Sequence, residues 1–355
     1  LRIGCRHDGM DDHPDRGLVA NPSATLYCLR RAVAAAPANR AREPGVTEPR
    51  RYLVVADSDS RLQWALQVGR TLAVAGYQGD VALIRSPLNP SAQQLSDFGL
   101  TTAPRYGALE ELAGLACCGE ASVLILGLMG PALGKFLARL RQQVSERRPK
   151  RRPLLVSGYW GITGVRDVEG LLWRLGCDVI CINNRHDQEA FGRILADCGR
   201  DTALLVPTGF LLGQPEPAGR RDSGPPKTVV FVGQPNIPRT RFAKAYLLHH
   251  LVEYANQHPG RRLELKPRMR PGERATHREG FSLESLCRER REPLPANLAF
   301  EYGAMAPILR RADLVLTISS AAAIEAWAHG RRVELISDFG VDDTLANAFF
   351  VGSNA

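Results

Sequence analysis

Nowhere do the 355 residues run apolar for the roughly 20 positions that a membrane helix needs. The N-terminal stretch also lacks the short hydrophobic core of a signal peptide. Both absences predict a cytoplasmic protein whose only membrane contact is peripheral, at the inner face. The eight cysteines follow no metal-binding spacing: Cys117 and Cys118 are adjacent, and Cys177 and Cys181 bracket an apolar pair. Buried free thiols in a reducing compartment are the expectation, with no metal site and no cofactor. Aromatic residues make up only 6%, and the basic run at 147–152 has none interleaved, so specific nucleic-acid recognition is not expected. A net charge of +9 still suits an acidic small partner or an anionic surface. Internal repeats are lacking, and nothing in the sequence bears on oligomeric state.

What is present is an alternation. Residues 1–50 are polar, turn-rich and Pro/Arg-rich, and are expected to be a disordered leader or extension. From there, short apolar runs alternate with amphipathic segments. Strands are predicted at Tyr52–Ala56, Val81–Ile84, Val123–Leu126, Leu154–Val156, Val179–Ile182 and Leu204–Val206. Helices are predicted at Leu62–Ala75, Leu109–Leu115, Leu133–Val144, Val168–Leu175 and Asp187–Asp197. Residues 209–227, rich in Gly, Pro and Arg, read as a linker. A second series follows, with strands at Thr228–Val232, Arg262–Leu265, Leu298–Phe300, Leu314–Ile318 and Val333–Ile336. Its helices are placed at Arg239–His258, Met305–Arg311 and Ala321–His329. This rhythm predicts an α/β protein of two Rossmann-like, doubly wound domains, 51–208 and 228–355, facing a cleft. Glycosyltransferases of the GT-B type, some epimerases and two-domain binding proteins share that plan.

Three loops of the second series are expected at one sheet edge. They are Gly233–Thr240 with Gln234 and Arg239; Lys266–His277 with Lys266, Arg268, Arg270 and His277; and Thr317–Ala323 with Thr317, Ser319 and Ser320. Cations opposite a helix start make an anion cradle, because both favour negative charge; the helix end alone contributes about 0.3–2 kcal/mol. The plain alternative is a serine-capped βαβ unit. Glu325, one turn into that helix, is either a ribose ligand or an acid favoured by the helix dipole. In the first series, Asp57 and Asp59 follow the first strand. They could act as base for an acceptor hydroxyl, bind the acceptor, or cap the next helix. His186 is a second base candidate or a cap. Ser157, Gly158, Tyr159 and Trp160 offer a sugar platform, or a turn that packs Trp160 on the core.

Four segments of the second half carry a resemblance: Phe231–Arg239, Leu265–Glu273 with His277, Thr317–Ala326 and Ile336–Val341. Ala56–Ser60, Ser157–Gly161 and Asn184–Asp187 in the first half carry it too. Over about residues 51–353 the chain resembles a family of bacterial GT-B-like glycosyltransferases, more distantly similar to sialyl- and Kdo-type transferases. The resemblance implies a nucleotide-sugar donor in the second half, with donor roles for Lys266, Arg268, Ser319, Ser320 and Glu325, and a glycan or glycolipid acceptor in the first. It departs at Arg268, where sialyltransferases carry the His of a His-Pro pair. It also departs at Ala355, where the chain stops short of the C-terminal helix that crosses back, so a truncated C-terminal domain is expected. A CMP-activated acidic sugar is the favoured donor because of the extra arginines, with UDP-sugars next. Two other readings remain. Asp57 and Asp59 resemble the strand-Asp-x-Asp of haloacid-dehalogenase phosphatases, although the order of the other motifs does not match. A non-catalytic nucleotide-sugar or polyanion binder would also fit the charge.

Overall fold

A computed structural model describes residues 50–149, 152–162, 167–210, 224–268, 270, 280–342, 344–345 and 347–350. The expected leader at 1–49, most of the 209–227 stretch and His277 therefore lie outside the described residues. The chain divides into two compact units, between Gly213 and Gln214.

The first unit alternates strand and helix as the apolar pattern predicts. Its elements are β1 (Arg51–Ala56), α1 (Asp59–Ala73), β2 (Gln78–Ile84), α2 (Ala92–Asp97), β3 (Arg105–Gly107), α3 (Leu109–Cys118) and β4 (Ala121–Gly127). Then come α4 (Gly130–Arg147), β5 (Leu154–Gly158), α5 (Val168–Arg174), β6 (Val179–Ile182), α6 (Arg185–Asp197) and β7 (Leu205–Pro207). The sheet is parallel, in the order β3-β2-β1-β4-β5-β6-β7. Successive side chains of β1 serve opposite faces, as the strand period requires. Leu53 and Val55 join the core under α3, α4, α5 and α6, whereas Val54 and Ala56 join the one under α1. Both faces are buried, which is why the strands read as unbroken apolar runs.

The second unit repeats the scheme with β8 (Thr228–Val232), α7 (Arg241–Gln257), β9 (Arg262–Lys266), α8 (Leu283–Glu289), β10 (Leu298–Phe300), α9 (Met305–Arg311), β11 (Leu314–Thr317), α10 (Ala322–Ala328) and β12 (Arg332–Leu335). Its parallel sheet runs β10-β9-β8-β11-β12. Asp313 fixes the entry edge, its Oδ2 accepting from the N–H groups of Lys227 (2.9 Å) and Thr228 (2.8 Å). Glu264, fully buried on β9, is held by Arg262 and by Arg311 of α9. Chain direction reverses across the sheet between β1 and β4, and again between β8 and β11. At such switch points the loops leaving the strands diverge and expose the carboxyl edge, where α/β proteins bind ligands. Together with the family resemblances reported below, the architecture is GT-B-like, and among the described residues no helix is long and apolar enough to cross a membrane.

Three elements escape the apolar pattern. β3 is a three-residue edge strand with two exposed positions, and α2 buries no side chain. What makes α2 a helix is its capping box, in which Ser91 accepts from the Gln94 N–H and the Gln94 side chain accepts from the Ser91 N–H. α8 has a simple serine cap, Ser282 accepting from the Ser285 N–H, and buries only Leu283 and Leu286.

Gly127 marks a close approach at the first switch point. It pairs with Ala56, and a Cβ there would lie 2.6 Å from the Arg61 carbonyl oxygen. Backbone cannot yield as a side-chain tip can, so Gly127→Ala should destabilise the protein by about 1–3 kcal/mol. A thermal midpoint unchanged by calorimetry would refute this.

Candidate functional site

At the second switch point the loop after β11 turns tightly. The Thr317 hydroxyl donates to the Val232 carbonyl (3.0 Å) and accepts from the Ser320 N–H (3.2 Å), joining β11 to β8. Ser319, almost completely buried, donates to Gln234 Oε1 across the switch point (2.9 Å). The Ser320 hydroxyl accepts from the Ala322 N–H (3.2 Å). Two backbone donors that the sequence offers to a phosphate are thus satisfied by side chains, and α10 is only seven residues long. Side chains, more than a helix dipole, must supply the site's chemistry.

Those side chains are Lys266 and Glu325. Lys266 ends β9, is 7% exposed, and its Nζ donates to the Pro267 carbonyl (2.8 Å). Glu325 lies in the first turn of α10 and keeps slight solvent access, but its carboxyl oxygens make no hydrogen bond among the described residues. Burial pushes its pKa up to about 7, and the Lys266 ammonium only partly offsets this. Desolvation therefore outweighs the opposite charge. A largely desolvated carboxyl beside a lysine at a sheet's carboxyl edge is a candidate partner for a ligand with hydroxyl donors.

The remaining predicted donor residues surround this edge. Gln234, Gly233, Phe231, Ile237, Pro238 and Arg268 line a small cavity, closed from behind by Lys244. Lys244 is itself buried, and its Nζ donates to the carbonyls of Pro235 and Phe281, both at 2.7 Å. It thereby fixes the Gly233–Thr240 loop that carries Gln234. Arg239 and Arg268 are exposed and Arg270 is partly buried.

In the first unit the structure assigns Asp57 a structural task. One carboxylate oxygen takes Arg61 Nε in a buried ion pair, and the other accepts from the Met129 N–H at 2.9 Å, linking β1 to the loop after β4. Each oxygen thus carries one bond that helps to hold the fold and keeps a further lone pair. Asp59 opens α1 and is half-buried; Ser58, not Asp57, holds the N-cap position, without a side-chain capping bond. His186 is exposed in the first turn of α6, where Asn184 is the cap, its Oδ1 accepting from the Asp187 N–H at 2.7 Å.

The predicted platform divides. The Ser157 hydroxyl donates to the Leu126 carbonyl (3.0 Å), and Gly158 packs so closely that a Cβ would lie 2.6 Å from both Cys181 Cβ and the Trp64 ring. Tyr159 is buried and stacks on Phe191. Only Trp160 is half-exposed, its ring between two guanidinium groups, Arg61 at 5.2 Å and Arg174 at 5.3 Å.

Sequence reasoning passed over Arg61, Arg174, Asp187 and Lys244. Arg61 was detectable, since it stands at i+4 from Asp57 on a predicted helix. Arg174 and Lys244 gave no signal, because single basic residues in amphipathic helices usually face solvent. Asp187 stood inside the quoted Asn184–Asp187 segment but reads as an ordinary first-turn acid. It is 3% exposed, and burial raises its pKa to about 6 against the bonds from Asn184.

The chain belongs to the family described as "Putative glycosyltransferase (DUF6716)", whose model matches residues 52–355. A search of curated protein sequences finds no significant match. Among solved structures, a putative UDP-N-acetylglucosamine 2-epimerase of Listeria monocytogenes is similar at a TM-score of 0.54 and 10% identity, over 82% of this chain and 80% of that one. Staphylococcus aureus MnaA with UDP gives 0.53 and 8%, over 81% and 79%. The UDP-GlcNAc 2-epimerase of Neisseria meningitidis bound to UDP-GlcNAc gives 0.50 and 10%, over 81% and 83%. At such identities these likenesses concern the fold.

Asp187 yields a test of its environment. Its folded pKa lies above the ordinary carboxylate value, so it favours folding at low pH and loses that contribution as pH rises through about 6. Asp187→Asn keeps an acceptor for Asn184 and removes the buried charge. The variant should therefore gain on the wild type between pH 4 and 7, by about 2 kcal/mol after discounting for water access. Denaturant melts showing a constant gap across that range would refute the assignment.

Proposed function

We propose that the protein transfers a sugar from a nucleotide-sugar donor, held at the β8/β11 switch point, to a hydroxyl of a glycan or glycolipid acceptor held by the first unit. The observation that carries this reading is the largely desolvated carboxyl of Glu325, in electrostatic contact with Lys266 at a carboxyl edge. A ribose diol supplies the two O–H donors that Glu325 lacks, and the adjoining phosphate supplies an anion for Lys266. Ser319 and Ser320 add hydroxyl donors once the ligand displaces the Gln234 contact, with Arg268 and Arg270 on the neighbouring loop.

In the transfer, the acceptor oxygen attacks the anomeric carbon while the bond from that carbon to the phosphate oxygen breaks. The electron pair leaves with the nucleotide phosphate, where Lys266 and the arginines stabilise it without calling on a metal; one well-aimed donor contributes about 3–4 kcal/mol at such a transition state. The acceptor proton goes to a base of the first unit. With Asp57 committed to Arg61, that role falls to Asp59 or His186, and Asp57 becomes a positioning residue. Arginines suited to a sugar carboxylate favour a CMP-activated acidic sugar, and the UDP ligands of two structural relatives keep UDP-sugars next. Cytoplasmic action at the inner membrane face fits a donor of either kind.

The first measurement is a thermal-shift screen against CMP, UDP, GDP and their sugars, with Glu325→Ala as control. Stabilisation by none of them, in folded protein, would end the donor-site reading. If the Glu325 carboxylate takes the diol, nucleotide binding must tighten as pH rises through about 7. The dissociation constant should fall about tenfold between pH 6 and 8, because the ionised fraction rises by that factor. Glu325→Gln should abolish the trend; a pH-independent wild type contradicts the role. Asp59→Asn should reduce turnover without changing nucleotide affinity, whereas Asp57→Asn should first lower the melting temperature.

A further inference from the structure

Five side chains form a ladder at the carboxyl end of β5: Arg61, Trp160, Arg174, Tyr159 and Phe191. Its two cations differ. The charge of Arg61 is matched by Asp57 in a buried pair. Arg174 is just as buried, at 3% exposure, yet no carboxylate among the described residues pairs with it. Its Nε donates to the Gly158 carbonyl (3.0 Å) and its Nη1 to the Gly170 carbonyl (2.5 Å), while Nη2 makes no hydrogen bond of normal geometry. The nearby acids are engaged: Asp167 accepts from the Gly170 N–H, and Asp187 is held by Asn184. The Tyr159 ring lies 4.2 Å from the guanidinium carbon, and its buried hydroxyl is engaged by Arg174 without a hydrogen bond of normal geometry. A guanidinium without a carboxylate in contact and a tyrosine hydroxyl whose own proton has no acceptor of normal geometry therefore stand together beside the half-exposed Trp160.

Buried guanidinium groups are ordinarily paired, since taking the charge from water is costly. Carbonyl dipoles, ring faces and the more distant Asp167 carboxylate offset part of that cost, but no carboxylate among the described residues forms an ion pair with Arg174. Trp160 supplies what a sugar ring needs, a flat apolar face with solvent access.

We propose that Trp160, Arg174 and Tyr159 form an acidic-sugar site, in which the ring packs on Trp160 and a carboxylate or phosphate of the same sugar takes Arg174 Nη2 and the Tyr159 hydroxyl. This rests on the reading that the first unit holds the acceptor, and it makes that acceptor an acidic glycan. Arg174 is buried behind Trp160, so entry of the anion shifts the indole.

The test is a tryptophan-fluorescence titration of the full chain with glucuronate, glucose 6-phosphate, glucose and inorganic phosphate. Saturable quenching by glucuronate or glucose 6-phosphate, at least about tenfold tighter than by glucose, is expected. The better of the two acids identifies the anion. Trp160→Phe should remove the signal, and Arg174→Met should weaken binding by at least about tenfold. Should Arg174→Met fail to fold, Arg174→Lys decides: it keeps the charge but loses the fork, so weaker binding is expected and unchanged affinity overturns the site. Equal binding of glucose, equal binding of phosphate alone, or no saturation by either acid also overturns it. UDP and CMP binding by the same samples reports on the second unit. Nucleotide binding lost with acidic-sugar binding intact would sink only the donor reading, and the reverse result only this one.

Discussion

A parallel sheet covered on both faces leaves a single place for polar chemistry, the edge where its strands end. Charge inside these two units, whether at that edge or within a strand as at Glu264, has to be resolved under low local dielectric. The cost of a buried ion in real proteins is several kcal/mol, which is comparable with the whole stability of a domain. Each buried charge at the edges must therefore be neutralised, hydrogen-bonded by the fold, or kept for a ligand. Asp57 with Arg61 and Glu264 with Arg311 are neutralised. Lys244 is satisfied by carbonyls. Under the readings proposed above, Glu325 and Arg174 belong to the third group.

The two cases differ in sign and in how the fold tolerates them. A carboxyl can escape by taking up a proton, and Glu325 partly does so, with its pKa near 7. A guanidinium has no such escape at any physiological pH, although burial does lower its pKa at Arg174. Arg174 depends instead on two carbonyls and two aromatic faces, and a cation–π contact contributes only about 0.5–2 kcal/mol. The resulting deficits are complementary. The second unit offers acceptors to hydroxyls next to a lysine for phosphate, whereas the first offers donors to an anion next to a flat ring. A transferase working on two sugars needs two such sites with different chemistry.

Much of this was legible in the chain itself. Fully buried strands announce themselves as apolar runs, so β1, β4, β8 and β11 stand out, and with them the loops at their carboxyl ends. Lys266, Ser319 and Glu325 could be singled out as candidates because each ends or follows such a strand. What sequence could not provide is pairing. Asp57 reads as a cleft acid until Arg61 and the Met129 N–H are seen on its two oxygens. The Ser320 turn reads as an open nest of donors until the Thr317 and Ser320 hydroxyls are found inside it. Arg174 is invisible for the same reason in reverse, since its distinction is a partner that is missing. Short elements such as β3 and α2 were lost because they bury too little to leave a period.

The occupied turn also decides how phosphate must be held. A seven-residue helix has a weak dipole, and its first donors already serve Thr317 and Ser320. Attraction from helix geometry alone would then amount to a few tenths of a kcal/mol, too little to order a nucleotide. In the proposed donor site a lysine at 7% exposure is a stronger element, because its field acts through protein and not through water. The same low dielectric that raises the pKa of Glu325 strengthens the pull of Lys266 on a phosphate. In the proposed donor site, desolvation therefore acts on both groups in opposite ways: it drives the carboxyl towards its protonated form, and it strengthens the pull of the ammonium on negative charge.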